Sequence, residues 1–189
     1  MKLIEIIKEI TPISKPCEDF ILRKAEEKIA KKGDLILEAG KICRYLFFIE
    51  KGITRHFYLD RDGNDVTFLF MESNHFTSVL DSYYNQTPSL YNIEVLDESL
   101  IQYFALSDFE EALDQFPELE KVYSAVLRDI LLVSEKRIIA FQFLNAEERY
   151  QELLKNQPSI IQRVPLGQIA SYLGINQATL SRIRAKQKL

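Results

Sequence analysis

Near the N-terminus, apolar residues recur at helical spacing: Leu3, Ile6, Ile7 and Ile10, then Phe20, Ile21, Ala25 and Ile29, with charged residues between them. Such a stripe buries one face of a helix. Pro12 and Pro16 interrupt it, because proline lacks an N–H and clashes inside a helix. Two short helices are therefore expected across residues 3–30. From residue 33 the pattern shortens. β-prone runs at 35–37, 45–49, 53–59, 66–71, 91–96 and 100–104 alternate with turn signals, among them Gly33, Gly40, Gly52 and Gly63. The stretch Asp60-Arg61-Asp62-Gly63-Asn64 reads as a hairpin turn. Many short strands at such spacing pack as an antiparallel sandwich or barrel.

Residues 107–145 return to helical period. Ser107 and Glu110 have capping-box spacing. A second helix is expected from near Pro117 to about Asn145, a stretch without Gly or further Pro. Its apolar residues spread wider than the single stripe of a surface helix. At 1.5 Å per residue it would be about 40 Å long, more than a 22.1 kDa chain covers. A symmetric partner helix is expected to cover the rest, with Val122, Val126, Ile130 and Val133 in the seam. The competing reading is a helix wholly buried in a monomer. Residues 146–155 form the next helix; Pro158 ends the connection after it and Pro165 opens another.

The segment from 166 to 184 carries the sharpest signal. Ala170 stands four residues before Gly174, with Leu180 six residues later and then Ile183. This is helix-turn-helix spacing. Ala170 is small where two helices cross, and Gly174 can adopt the positive φ of a sharp turn. Ile169, Leu173, Ile175, Leu180 and Ile183 supply a shared core, and Asn176 caps the second helix. With Leu180 and Ile183 inward, Ala178, Arg182 and Ala185 face out, flanked by Ser181 and Lys188. Arg182 suits a guanine edge and Gln177 an adenine. Thr179, Ser181, Arg184 and Lys186 suit phosphates. The competing reading is two packed helices with a solvated basic face.

Charge supports the first reading. The whole chain carries −4, yet from Arg163 onward there are five basic residues and no acid, which leaves −9 on residues 1–162. A basic end on an acidic body is the asymmetry of a small module that touches a polyanion.

The string from Asn145 to Pro158, followed by Arg163 to Arg184, resembles the DNA-binding end of the Crp/Fnr family of bacterial transcription regulators, most closely the short branch common in Bacteroidetes. The glycine spacing upstream, with Gly52-Ile53 and Asp62-Gly63, resembles that family's cyclic-nucleotide-binding β-roll. The resemblance implies an α+β fold in three parts. Residues 1–116 would be an antiparallel β-roll (a double-stranded β-helix) with flanking helices, 117–145 a dimerisation helix, and 146–189 a helix-turn-helix domain. It implies a homodimer on a palindromic double-stranded DNA site, with RNA polymerase and an unidentified small-molecule effector as candidate further partners.

Members that bind cyclic AMP carry Phe-Gly-Glu and, after about ten residues, Arg-Ser-Ala, so that helix N–H groups and the Arg neutralise the phosphate. Here Thr77 and Ser78 stand at the Gly and Glu positions, Ser89 stands near the Arg position, and no Arg occurs between Arg61 and Arg128. An unpaired buried phosphate costs several kcal/mol, so cyclic AMP is not expected to bind. Phe76, Ser78, Tyr83, Tyr84, Ser89 and Tyr91 are the candidate lining of an altered pocket for a neutral or weakly polar ligand. The alternative is that these aromatics simply fill the roll. Ala178, where many relatives carry a Glu, can touch only a thymine methyl.

The remaining composition narrows the class. A cupin-type enzyme needs clustered His ligands, and His56 and His75 are 19 residues apart. Two cysteines, Cys17 and Cys43, cannot hold an iron–sulfur cluster, and with two histidines they do not make a conventional zinc site. No metal, cofactor or enzymatic activity is therefore expected. Few cysteines, no membrane-length apolar run and a charged N-terminal segment point to a cytoplasmic chain with no membrane partner. A ligand-binding or interaction module that has lost DNA binding is the alternative function.

Overall fold

The computed structural model describes residues 2–186. Two helices open the chain, α1 (Lys2–Ile10) and α2 (Lys15–Lys24). Ser14 Oγ accepts from the Cys17 N–H at 3.4 Å and caps α2, whose first turn holds Pro16. The second helix is shorter than its pattern suggested. It stops at Lys24, and Glu26–Ala30 becomes strand β1. That segment lies along the edge of a sheet, where ladder hydrogen bonds outweigh weak helical periodicity.

Seven more strands follow: β2 (Leu35–Leu37), β3 (Tyr45–Lys51), β4 (Ile53–Leu59), β5 (Asp65–Glu72), β6 (His75–Thr77), β7 (Asn92–Val95) and β8 (Ser99–Ala105). They form two antiparallel four-stranded sheets, ordered β1-β8-β3-β6 and β2-β7-β4-β5. The expected runs at 35–37 and 53–59 match their strands end to end, and the hairpin turn joins β4 to β5 as read. Gly52 makes the corner at which the chain leaves one sheet for the other. Its φ is +118°, and an added Cβ would lie 1.9 Å from Ser99 Oγ. Only glycine suits both demands.

Alternation of faces sorts the core. Phe47, Ile49, Ile93, Val95 and Ile101 fill the space between the sheets. Phe48 and Phe104 point the other way, onto α1, α2, α4 (Leu106–Gln115) and α5 (Leu119–Phe143). The capping box expected at Ser107 and Glu110 is not formed. Strand β8 runs directly into α4, which starts at Leu106 with no side-chain cap and so takes Ser107 into its first turn.

Helix α5 spans 25 residues. Its expected seam is corrected by the packing. Val122 and Val126 are buried against α1 and the core, Ile130 packs on the same cluster, and Val133 is half-buried on that side. At 100° per residue, four of the apolar residues left in solvent lie on the opposite face, Leu131, Leu132, Ile138 and Ile139, with Leu131 67% exposed; Phe141 and Phe143, nearer the C-terminal end, are exposed as well. The first half of α5 needs one apolar face for its own protomer, and the sequence does not say which.

Asn145 follows α5 and caps α6 (Ala146–Asn156) through a reciprocal box with Glu148. Pro158 opens a short helix, α7 (Pro158–Arg163), where it was expected only to end a connection. The chain closes with α8 (Leu166–Tyr172) and α9 (Gln177–Lys186).

Candidate functional site

Helices α8 and α9 meet at a turn built by sequence. Gly174 has φ +68°, and its N–H and that of Ile175 donate to the carbonyls of Ser171 and Ala170 at 3.0 Å. Asn176 Oδ1 accepts from the Thr179 N–H at 2.8 Å, the bond of an N-cap. Ala170, Leu173, Leu180 and Ile183 are buried in one cluster, with Ile175 packed against it.

Burial of Leu180 and Ile183 turns the other face of α9 outward. Gln177, Ala178, Ser181, Arg182, Ala185 and Lys186 are exposed, while Thr179 and Arg184 are half-buried at its flanks. Arg182 Nη2 donates to Thr179 Oγ1 at 3.2 Å, which steadies the long side chain along its helix. None of the ion pairs among the described residues uses a side chain of α9. Lys188 lies outside the described residues.

The C-terminal helices are anchored to the sandwich. Strand β5 is the free edge of its sheet. Ser171 Oγ on α8 accepts from the Thr67 N–H at 2.9 Å and donates to the Asp65 carbonyl at 3.0 Å. Tyr172 packs on Phe70 with ring centroids 5.0 Å apart. Arg137 of α5 lies over the same Tyr172 ring at 3.9 Å and over Phe141 at 4.4 Å. Ser159 donates to Glu72, and Arg163 pairs with Asp97. Arg149 bonds the carbonyls of Leu144 and Leu173, tying the ends of α5 and α8 together.

The six side chains expected to line an effector pocket are not gathered. Phe76 packs on Phe48, on the helical side of its sheet. Ser78 Oγ donates to the Tyr45 carbonyl at 2.9 Å. Tyr83 donates to Glu110, and Tyr84 meets the Tyr123 hydroxyl of α5 at 3.0 Å. Ser89 is buried, its hydroxyl bonded to the main chain of Tyr91. Tyr91 stacks on Phe68. The intersheet space is filled mainly by aliphatic side chains, Cys43 and Phe47, and of the six only Tyr91 packs against them. A cleft of about 180 Å³ opens beside it, between Leu35, Ile42, Arg44 and Tyr45.

On the sequence His56 counts only as a histidine too far from His75 to share a metal. It is buried inside the sandwich with Nε2 2.6 Å from Thr77 Oγ1, so the Thr at the family's Gly position is bonded to an interior histidine. Burial pulls the His56 pKa down to about 4. Cys17 and Cys43 are free and buried, and burial pushes the Cys17 thiol up to about 11. Among the described residues no three His, Cys, Asp or Glu side chains cluster as a metal would require, and no helix is long and apolar enough to cross a membrane.

Residues 27–116 match the family of the cyclic nucleotide-binding domain. No curated protein matches the chain by sequence. Among solved structures, FixK2 from Bradyrhizobium japonicum is 17% identical with a TM-score of 0.71, covering 86% of this chain and 83% of that one. The c-di-GMP responsive global regulator CLP from Xanthomonas campestris is 13% identical with a TM-score of 0.72, covering 93% and 92%. A transcriptional regulator assigned to the Crp/Fnr family, from Eubacterium rectale, is 15% identical with a TM-score of 0.72, covering 93% and 84%. Residues 27–116 thus match the cyclic nucleotide-binding domain family, within a chain whose fold is that of solved structures of Crp/Fnr-type transcription regulators.

Proposed function

We propose that this chain is a sequence-specific DNA-binding transcription regulator that acts as a homodimer on a palindromic site and does not respond to cyclic AMP. The observation that carries the reading is the exposed face of α9. Gln177, Ser181, Arg182 and Lys186 are exposed, and in none of the ion pairs among the described residues, on a helix whose other face is locked in a core. A helix so presented places short and cationic side chains at major-groove depth. In this reading α8 and α9 are a helix-turn-helix, residues 1–116 a sensor domain, 117–145 the dimer helix and 146–189 the DNA-binding domain. The dimer forms through the exposed Leu131, Leu132, Ile138 and Ile139 face of α5. The tied-up hydroxyls of Thr77, Ser78 and Ser89, and the filled sandwich, support silence toward cyclic AMP.

The test is selection from a randomised duplex pool at two salt concentrations, with and without cyclic AMP. The expected outcome is a palindrome enriched equally in both, with affinity falling steeply as salt rises. Enrichment only with cyclic AMP would overturn the reading of the pocket. No enrichment in any arm would overturn DNA recognition by α9.

A further inference from the structure

Sheet edges expose unpaired N–H and C=O groups that water or another strand must satisfy. At Asp65 and Thr67 of β5 that demand is met from outside the sheet by one hydroxyl. Ser171 Oγ takes the Thr67 N–H and gives its own proton to the Asp65 carbonyl, across 104 residues of sequence. The next residue, Tyr172, sits in a row of ring contacts that crosses three elements: Phe70 of β5, tilted 43° to it, Tyr172 of α8, then Arg137 of α5 at 3.9 Å from the Tyr172 ring. The same guanidinium lies 4.4 Å from the Phe141 ring centroid, and none of the ion pairs among the described residues includes Arg137. Its cationic charge is satisfied by aromatic faces, which is a directional interaction. Phe141 Cε1 also lies 2.9 Å from where a Gly174 Cβ would be, so the α8–α9 turn rests directly on α5. These contacts fix the position of α8 and leave the exposed face of α9 untouched.

We infer that Ser171 and Arg137 form a clasp that holds α8 against both the sandwich and α5, and so sets the one half-site spacing the dimer accepts. The inference rests on the DNA-binding reading above. A dimer reads two half-sites about one helical turn apart, and each added base pair moves a half-site by about 3.4 Å and turns it by roughly a tenth of a turn. A module joined only through a loop absorbs such a shift. A module bonded at Ser171 and wedged at Tyr172 by Arg137 does not. Neither residue touches DNA in this scheme; both position α9.

The test uses the full chain and the palindrome recovered from the pool, with its half-sites moved apart or together by one base pair. The wild type should lose at least tenfold in affinity for either altered spacing. Ser171→Ala and Arg137→Gln should each reduce that discrimination to less than threefold, with the preferred half-site sequence unchanged. Retention of the tenfold discrimination in both variants would overturn the clasp, as would a changed half-site sequence at unchanged spacing. Amide hydrogen exchange gives a readout independent of DNA. Ser171→Ala should speed exchange at Thr67 at least tenfold and leave Ile101, in the central strand β8, unaffected. If the wild type enriches no palindrome, the spacing claim falls with the function it rests on, and exchange at Thr67 alone shows whether the clasp exists. Unchanged exchange there would remove the clasp as well.

Discussion

His56 shows how one residue type changes meaning with its neighbours. On the sequence it is a lone histidine in a β-prone run. In the fold it is a buried neutral ring against Thr77 Oγ1. Its folded pKa lies near 4, below the 6.5 of an exposed imidazole. Between those values the unfolded chain binds a proton that the folded chain refuses. Stability therefore rises with pH across that window and is lost as pH falls, by up to about 1.4 kcal/mol per unit. Urea unfolding at pH 7 and pH 5 should show a larger loss for the wild type than for His56→Gln. Equal losses would remove His56 as a source of acid sensitivity. On α9, Arg182→Ala should cost about 1–3 kcal/mol in DNA affinity and relax one base pair of each half-site, whereas Lys186→Ala should weaken all sequences alike and lower the salt slope by about 1. Binding measured against single-base variants at several salt concentrations separates the two. The residues of the α8–α9 turn were legible because each has a one-residue reason: a small side chain at a crossing, a positive φ, a cap. The pocket residues were not, because the direction of a tyrosine or serine side chain depends on which strands flank it.

Elements were legible where their period was long or their alternation clean. The β4 and β5 strands, their turn and α5 all follow from pattern. Strand β1 was hidden by a helical rhythm that its pairing with β8 overrides, and β6 and α3 (Leu80–Tyr84) are short and, unlike the all-apolar β2, mix polar with apolar residues. The face of α5 was hidden for a different reason. Apolar residues lie all round that helix, so its sequence fits a seam on either side, and only the packing of α1 on Val122 and Val126 decides between them. This separates two substitutions. Val126→Asp should unfold the protomer, because it buries a charge in the main cluster. Ile138→Asp should leave the protomer folded and yield monomers. Light scattering together with thermal unfolding reads both outcomes. An unchanged mass for Ile138→Asp would remove the exposed face as the seam.

At the scale of the whole molecule, the acid–base asymmetry of the sequence becomes spatial. The basic residues of α9 sit on an exposed helix face, while the acidic body carries the sandwich and, on Arg55, a buried guanidinium neutralised by Glu94 and Asp65 at 2.6 Å. The two regions are one piece through Ile53, Phe70 and Leu96, which share a core with the C-terminal helices. No sequence pattern announced that junction. Its residues are ordinary strand and helix positions, and they meet only because β5 ends its sheet where α8 arrives.

The cover over that edge has a consequence in time. During synthesis at about 5–20 residues per second, the 104 residues between Thr67 and Ser171 take on the order of 5–20 seconds to emerge. The last sandwich strand, β8, is complete only at Ala105; for the rest of that interval, on the order of 3–13 seconds, the β5 edge has nothing laid along it. A ribosome stalled before α8 would hold a nascent chain with an open, hydrogen-bonding border, ready to pair with the same border on its neighbour in a polysome.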